Sequence, residues 1–164
     1  MPELISPDAR WHAAWLEAHA EWGPGAHEDG FGLRPSDDVG TREGFATWLA
    51  RLAGDACTYR WIVEGERVLG GIALRHGFGE FVRQFGHIGY GVRPSARGRG
   101  VASWALGRVL GEAWTLGMSR VLVVCAVDNV ASMRTIERHG GVPEKSPDER
   151  VRRYWIENYL SLDM

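Results

Sequence analysis

Val92-Arg93-Pro94-Ser95-Ala96-Arg97-Gly98-Arg99-Gly100-Val101-Ala102 is the stretch whose reading decides what this chain is. It stands between a short apolar run at 87–92 and a long stretch, 98–117, in which Ala102, Leu106, Val109, Leu110 and Ala113 recur at helical spacing. A strand ended by Pro94, a loop and a long helix are therefore expected in that order. The first N–H groups of a helix have no internal partner, and the helix dipole places partial positive charge there. Gly98 and Gly100 remove side chains that would hold a ligand away from the backbone. Arg97 and Arg99 add cationic forks that match phosphate oxygens. These features together describe a pyrophosphate site. The same residues also read as a glycine-rich connection with two solvated arginines, and local composition does not separate the two.

Working outward, the run 121–127 is continuously apolar, as a strand covered on both faces should be. Strand, helix and buried strand make a βαβ unit, so the strands at 87–92 and 121–127 should run parallel. Asp128 or Asn129 opens a further helix to about His139, closed by Gly140-Gly141, and a last, antiparallel strand is expected at 151–159. On the other side, runs 59–64 and 67–75 flank Gly65-Glu66 and read as a hairpin, followed by a loop holding Gly77, Gly79 and Glu80. The first 55 residues read as two helices around a loop. Asp8 caps the first, in which Trp11, Ala14, Trp15, Ala18 and Trp22 share a face. Gly, Pro and acidic residues fill the loop 23–38. Thr41 caps the second helix, whose stripe is Phe45, Trp48, Leu49 and Leu52.

A chain of 164 residues without an internal repeat or linker is expected to be one domain, 1–164. Its apolar fraction of 45% is ordinary, and the eight Trp should form core and pocket walls. A formal net charge of −2 gives no reason to expect a nucleic-acid partner. The two cysteines, Cys57 and Cys125, lack metal-type spacing, so no metal is expected, and Cys125 should be a buried thiol in a reducing compartment. No apolar run approaches the roughly 20 residues that span a bilayer, and Met1-Pro2-Glu3-Leu4 does not open a signal peptide. A cytoplasmic protein with no membrane partner is expected. A dinucleotide site is excluded. Gly98-x-Gly100-x-x-Ser103 half-matches that fingerprint, but hairpin-like strands precede it and only one βαβ unit is available. The phosphate-loop lysine pattern is absent too.

Arg97-Gly98-Arg99-Gly100-Val101-Ala102 resembles the Arg/Gln-x-x-Gly-x-Gly/Ala acetyl-CoA motif of the GNAT superfamily of N-acetyltransferases. Asn129-Val130-Ala131-Ser132 is similar to the Asn-x-x-Ser at that family's next helix, and His139-Gly140-Gly141 stands where it has a hydrophobic residue, Gly and Phe. Closer still is the likeness to bacterial predicted acetyltransferases with a Gly-His-Ile-Gly-Tyr-x-Val-Arg-Pro-Ser stretch and a later Arg-Tyr-Trp-Ile, here at 86–95 and 153–156. The resemblance implies a mixed α/β (α+β) fold. Its central mixed sheet would have six to seven strands, two parallel strands splayed at their C-terminal ends, and about four helices. It also implies acetyl-CoA as co-substrate and a primary amine of a small molecule or peptide as acceptor.

The implied site residues follow. Pyrophosphate would lie on Arg97, Gly98, Arg99, Gly100, Val101 and Ala102, and pantetheine would pair with the strand edge at Tyr90, Gly91 and Val92. The Val92 N–H, or one beside it, would donate to the thioester carbonyl. Gly89 and Gly91 would permit a bulge or make room for packed aromatics. Asn129 and Ser132 would line the channel, cap their helix, or both. Many relatives place a tyrosine acid four residues after that serine. Here the position is Ile136, which leaves the acid unassigned. For the base, Glu80 acting through water and His87 on the cofactor strand are the candidates. The family builds its acceptor pocket from segments corresponding to 22–38, Arg75, His76 and 152–155. There Glu28, Asp29, Asp37 and Asp38 either recognise a cationic amine or are simply solvated. A non-catalytic acyl-CoA-binding or regulatory domain and a transferase of longer acyl groups are the alternatives. A homodimer through the C-terminal strands is compatible with the family.

Overall fold

In the computed structural model the described residues are 1–23 and 30–159. They divide into two compact units, one drawn from residues 1–23, 30–73 and 90–101, the other from 74–89 and 102–159. Seven strands form one mixed sheet in the order β1-β2-β3-β4-β5-β7-β6. These are β1 Glu3–Ile5, β2 Cys57–Glu64, β3 Arg67–Arg75, β4 Ile88–Val92, β5 Arg120–Ala126, β6 Val142–Glu144 and β7 Val151–Glu157. Five α-helices accompany them: α1 His12–Trp22, α2 Arg42–Gly54, α3 Glu80–Phe85, α4 Val101–Thr115 and α5 Val130–Arg138. The expected parallel pair is present, with Ile88 of β4 opposite Val123 of β5. β7 runs antiparallel to β5 along its length, from Arg120↔Glu157 to Ala126↔Val151.

The helix expected over 9–22 begins with a 3-10 turn, Ala9–Trp11, which is what Asp8 caps through the Arg10 N–H at 3.0 Å. Thr41 caps α2 as expected, its Oγ1 accepting from the Gly44 N–H at 3.0 Å. The expected apolar faces meet in the first unit. Trp15, Trp48 and Trp61 are each no more than 1% exposed and pack with Phe31, Phe45 and Trp22. Trp15 is central, with ring centroids 4.8 Å from Trp48, 5.6 Å from Phe31 and 5.8 Å from Phe45.

In the second unit the α4 stripe of Leu106, Val109, Leu110 and Ala113 is buried, whereas Ala102 is only half-buried. Two expectations need correction. The helix expected over 98–117 begins at Val101, because Gly98 and Gly100 sit at φ +76° and +75°, outside helical space. The loop expected at Glu80 is the short helix α3, which brings the α-helices among the described residues to five. Gly79 opens it, Gly86 at φ +87° closes it, and Val82 is its one buried side chain. Six residues are too few for a periodic pattern to show.

Candidate active site

Within the first unit the end of β4, Tyr90 to Val92, feeds a 3-10 turn, Pro94–Ala96, and then the glycine loop up to Val101, the first residue of α4. The left-handed backbone at Gly98 and Gly100 disfavours any larger residue, and a Cβ at either would meet nothing within 4 Å. The loop is thus open on its Cβ side and leads directly into the N-terminus of α4. Arg97 is exposed, and its Nε donates to the Val92 carbonyl at 2.9 Å. Arg99 Nη2 donates to Glu64 Oε1 at 2.8 Å, and this partner holds the Glu64 carboxyl below its usual range.

Sequence reading missed the best-tied residue of this unit. Arg93 is 1% exposed, yet it carries a charge. Its Nη1 and Nη2 each donate at 2.6 Å to the two carboxylate oxygens of Glu17, and its Nε and Nη2 donate to Glu21 Oε1 at 3.1 and 2.8 Å. Glu21 also accepts from Ser95, from its N–H at 2.8 Å and from its Oγ at 2.7 Å. The Arg93 hydrogen bonds, followed by those of Ser95, hold the Glu21 carboxyl at about 2. The local sequence offers only that Glu17 and Glu21 stand four apart on α1, off its tryptophan face, and nothing near them names Arg93 as their partner.

The glycine that permits a close approach beside Gly91 is Gly70. A Cβ at Gly70 of β3 would lie 2.1 Å from the Gly91 carbonyl oxygen, so the missing side chain at 70 lets the two backbones come together. Tyr90 and Gly91 are half-buried and Val92 is buried. The Arg93 N–H donates to the Leu69 carbonyl at 2.7 Å and is thereby engaged.

In the second unit His87 is 5% exposed, and both ring nitrogens are used. Nδ1 accepts from the Leu122 N–H at 2.9 Å, so the ring proton sits on Nε2, which lies 3.0 Å from the Gly77 carbonyl. The candidate base therefore has no lone pair to offer; its ring ties the start of β4 to β5 and to the 77 loop. Glu80 is exposed in the first turn of α3. Gly89 makes room for a cation rather than an aromatic, since a Cβ there would lie 3.0 Å from Arg75 Nη2. Asn129 caps α5, its Oδ1 accepting from the Ser132 N–H at 3.1 Å. Ile136 is fully buried. Cys125 is a buried thiol, pushed up by burial and opposed by a hydrogen bond with Ser132.

Burial holds His87 below the ordinary histidine value of 6.5. The unfolded chain therefore takes up this proton first on acidification, and folded stability falls as pH drops through and below 6.5. His87→Gln, whose amide can still accept from Leu122 and donate to Gly77, should flatten that part of the curve. Urea unfolding between about pH 5 and 7.5 reads it, and equal slopes for both proteins would contradict the assignment.

Of the four acids considered for amine recognition, Glu28 and Asp29 lie outside the described residues. Asp37 pairs with Arg51 and accepts from the Arg34 N–H at 2.6 Å, and Asp38 accepts from the Thr41 hydroxyl at 3.0 Å. Both serve local structure. Among the described residues no group of three or more His, Cys, Asp or Glu is placed to hold a metal ion. No helix among them is long and apolar enough to cross a membrane.

The profile of the acetyltransferase (GNAT) domain matches residues 6–142. The chain belongs to the GNAT acetyltransferase family. It is accordingly an acetyl-CoA-dependent N-acetyltransferase. Solved structures bear out the fold at low identity. A probable acetyltransferase is 16% identical with a TM-score of 0.73, over 97% of this chain and 94% of that one. The spermidine/spermine N-acetyltransferase SpeG from Vibrio cholerae is 14% identical with a TM-score of 0.69, over 99% and 98%. RimL, a ribosomal-protein alpha-N-acetyltransferase in complex with coenzyme A, is 18% identical with a TM-score of 0.69, over 95% and 93%. No curated protein matches this GNAT acetyltransferase by sequence.

Proposed function

We propose that this acetyltransferase transfers the acetyl group of acetyl-CoA to a primary amine by direct attack. The observation that carries the reading is the GNAT match over 6–142, with the cationic glycine loop lying at a strand-to-helix junction. In this reading Arg97, Gly98, Arg99, Gly100, Val101 and Ala102 hold the pyrophosphate through backbone N–H groups and guanidinium forks. Tyr90, Gly91 and Val92 offer a strand edge to pantetheine, and Asn129 and Ser132 contribute side chains to the same ligand. Acetyl-CoA supplies a thioester carbonyl open to amine attack. The Val92 N–H is the group assigned to that carbonyl oxygen.

Glu80, which is exposed, is assigned to accept the amine proton through a water. His87 is assigned to hold β4 in place, since both its nitrogens are engaged. Ile136 cannot donate a proton, but a thiol with pKa near 8.5 can leave without a side-chain acid. The acceptor is a small molecule or peptide with a free amine. SpeG acts on spermidine and spermine and RimL on a ribosomal protein, which makes polyamines and peptide α-amines the first candidates.

The test is release of coenzyme A from acetyl-CoA in the presence of spermidine, spermine or a peptide with a free N-terminus. Release with at least one amine is expected; release with none would favour a non-catalytic acyl-CoA-binding domain. For the amine that works, Glu80→Gln should lower kcat by about a hundredfold at neutral pH, the low end of general-base contributions. Unchanged turnover in Glu80→Gln from about pH 6 to 9 would remove Glu80 from the mechanism.

A further inference from the structure

We infer that Arg93, Glu17, Glu21 and Ser95 form a clamp that presets the pyrophosphate loop, with Arg93 and Glu21 as positioning residues for coenzyme binding. The inference rests on the reading of that loop given above, and all the residues it uses lie within the first unit.

Three residues separate Arg93 from the loop at Arg97, and the path between them is held at both ends. At one end the Arg93 guanidinium makes four charge-assisted hydrogen bonds to Glu17 and Glu21, and a further one to the Val68 carbonyl at 3.2 Å. Glu21 then reaches past Arg93 and takes both the N–H and the hydroxyl of Ser95. At the other end the Ala96 N–H donates to the Arg93 carbonyl at 3.0 Å, and the Arg97 N–H to the Pro94 carbonyl at 3.3 Å. The first glycine follows immediately. Gly98 and Gly100 meet nothing within 4 Å of an added Cβ, so no packing around them fixes the loop. Apart from the Arg97 and Arg99 side-chain contacts, its shape is set by the turn that precedes it.

A buried arginine is an expensive way to fill space, because removing its charge from water is costly unless the geometry repays it. Alternatives of similar volume without charge would pack against α1 as well. What a guanidinium adds is a planar fork that fixes direction. Two carboxylates on successive turns of α1 lock that fork, and Glu21 passes the constraint to Ser95. A loop held in its binding shape beforehand loses less conformational freedom when the ligand arrives, so the clamp acts on affinity rather than on the chemical step.

The experiment measures coenzyme A binding by calorimetry on the wild type, Glu21→Gln, Ser95→Ala and Arg93→Lys, with amide hydrogen exchange on the same proteins. Glu21→Gln keeps the shape of the side chain but loses its charge. It should weaken coenzyme A binding about tenfold by loosening a preorganised site. Exchange should quicken in 94–100 and stay unchanged in β2 and α2, and KM for acetyl-CoA should rise while kcat holds. Ser95→Ala should shift both readings the same way by less, and Arg93→Lys should resemble Glu21→Gln because an ammonium cannot reproduce the fork. Unaltered coenzyme A affinity in Glu21→Gln and Ser95→Ala would overturn the clamp, and so would exchange that quickens uniformly, the mark of a general structural role. A folded wild type that binds no coenzyme A would instead overturn the reading of the loop, and the clamp with it.

Discussion

Gly100→Trp should abolish detectable acetyl-CoA binding while leaving the protein folded. Two properties of the position combine to give that result. Gly100 sits at φ +75°, where any other L-residue is strained, at a cost of about 1–2 kcal/mol. Nothing lies within 4 Å of a Cβ added there, so the new side chain clashes with no neighbour and would lie in open space beside the loop. The folded state should tolerate the strain, with a melting temperature only a few degrees lower. A bulky indole beside the N–H groups of α4 would block the pyrophosphate, and an affinity loss of a hundredfold or more, about 3 kcal/mol, is the expected scale. Calorimetry and thermal melting on the same sample read both effects. Retained affinity in a folded Gly100→Trp would move the pyrophosphate elsewhere.

Trp15→Ala carries the largest expected effect on stability. The indole is fully buried at the centre of the first unit's core, between Phe31, Phe45, Trp48 and Trp61. Removing it loses the transfer energy of a large apolar surface and leaves a cavity that four rings cannot collapse to fill, so a loss of about 3–5 kcal/mol is expected. For a chain of 164 residues that is a fall in melting temperature on the order of 10 °C. Differential scanning calorimetry tests it. A shift of only a degree or two would mean that the aromatic cluster is not the core of that unit.

How far the amino-acid sequence discloses this fold and its site follows a physical divide. The stretch around α4 and β5 is legible because its signals are local and repeated: a helical stripe, a continuous apolar run, and glycines next to arginines. The glycine loop before α4 is legible for the same reason, since adjacent residues carry it. β6 is not, because Val142, Pro143 and Glu144 are all exposed, and a proline belongs on the edge strand that pairs with β7 alone. α3 is too short to show a period. The Arg93 clamp is out of reach for another reason. Its partners lie 72 and 76 residues away along the chain, and only the fold brings them to Arg93. His87 illustrates the opposite error. Its intrinsic pKa recommends it as a base, but its surroundings engage both nitrogens.

The central claim is that the loop from Arg97 to Ala102 serves acetyl-CoA, and titration of acetyl-CoA into the purified wild-type protein tests it most directly, with NAD and ATP as controls. Saturable binding on the order of micromolar affinity, absent for both controls, is the result the account predicts. A well-folded protein that gives no heat with acetyl-CoA would contradict it.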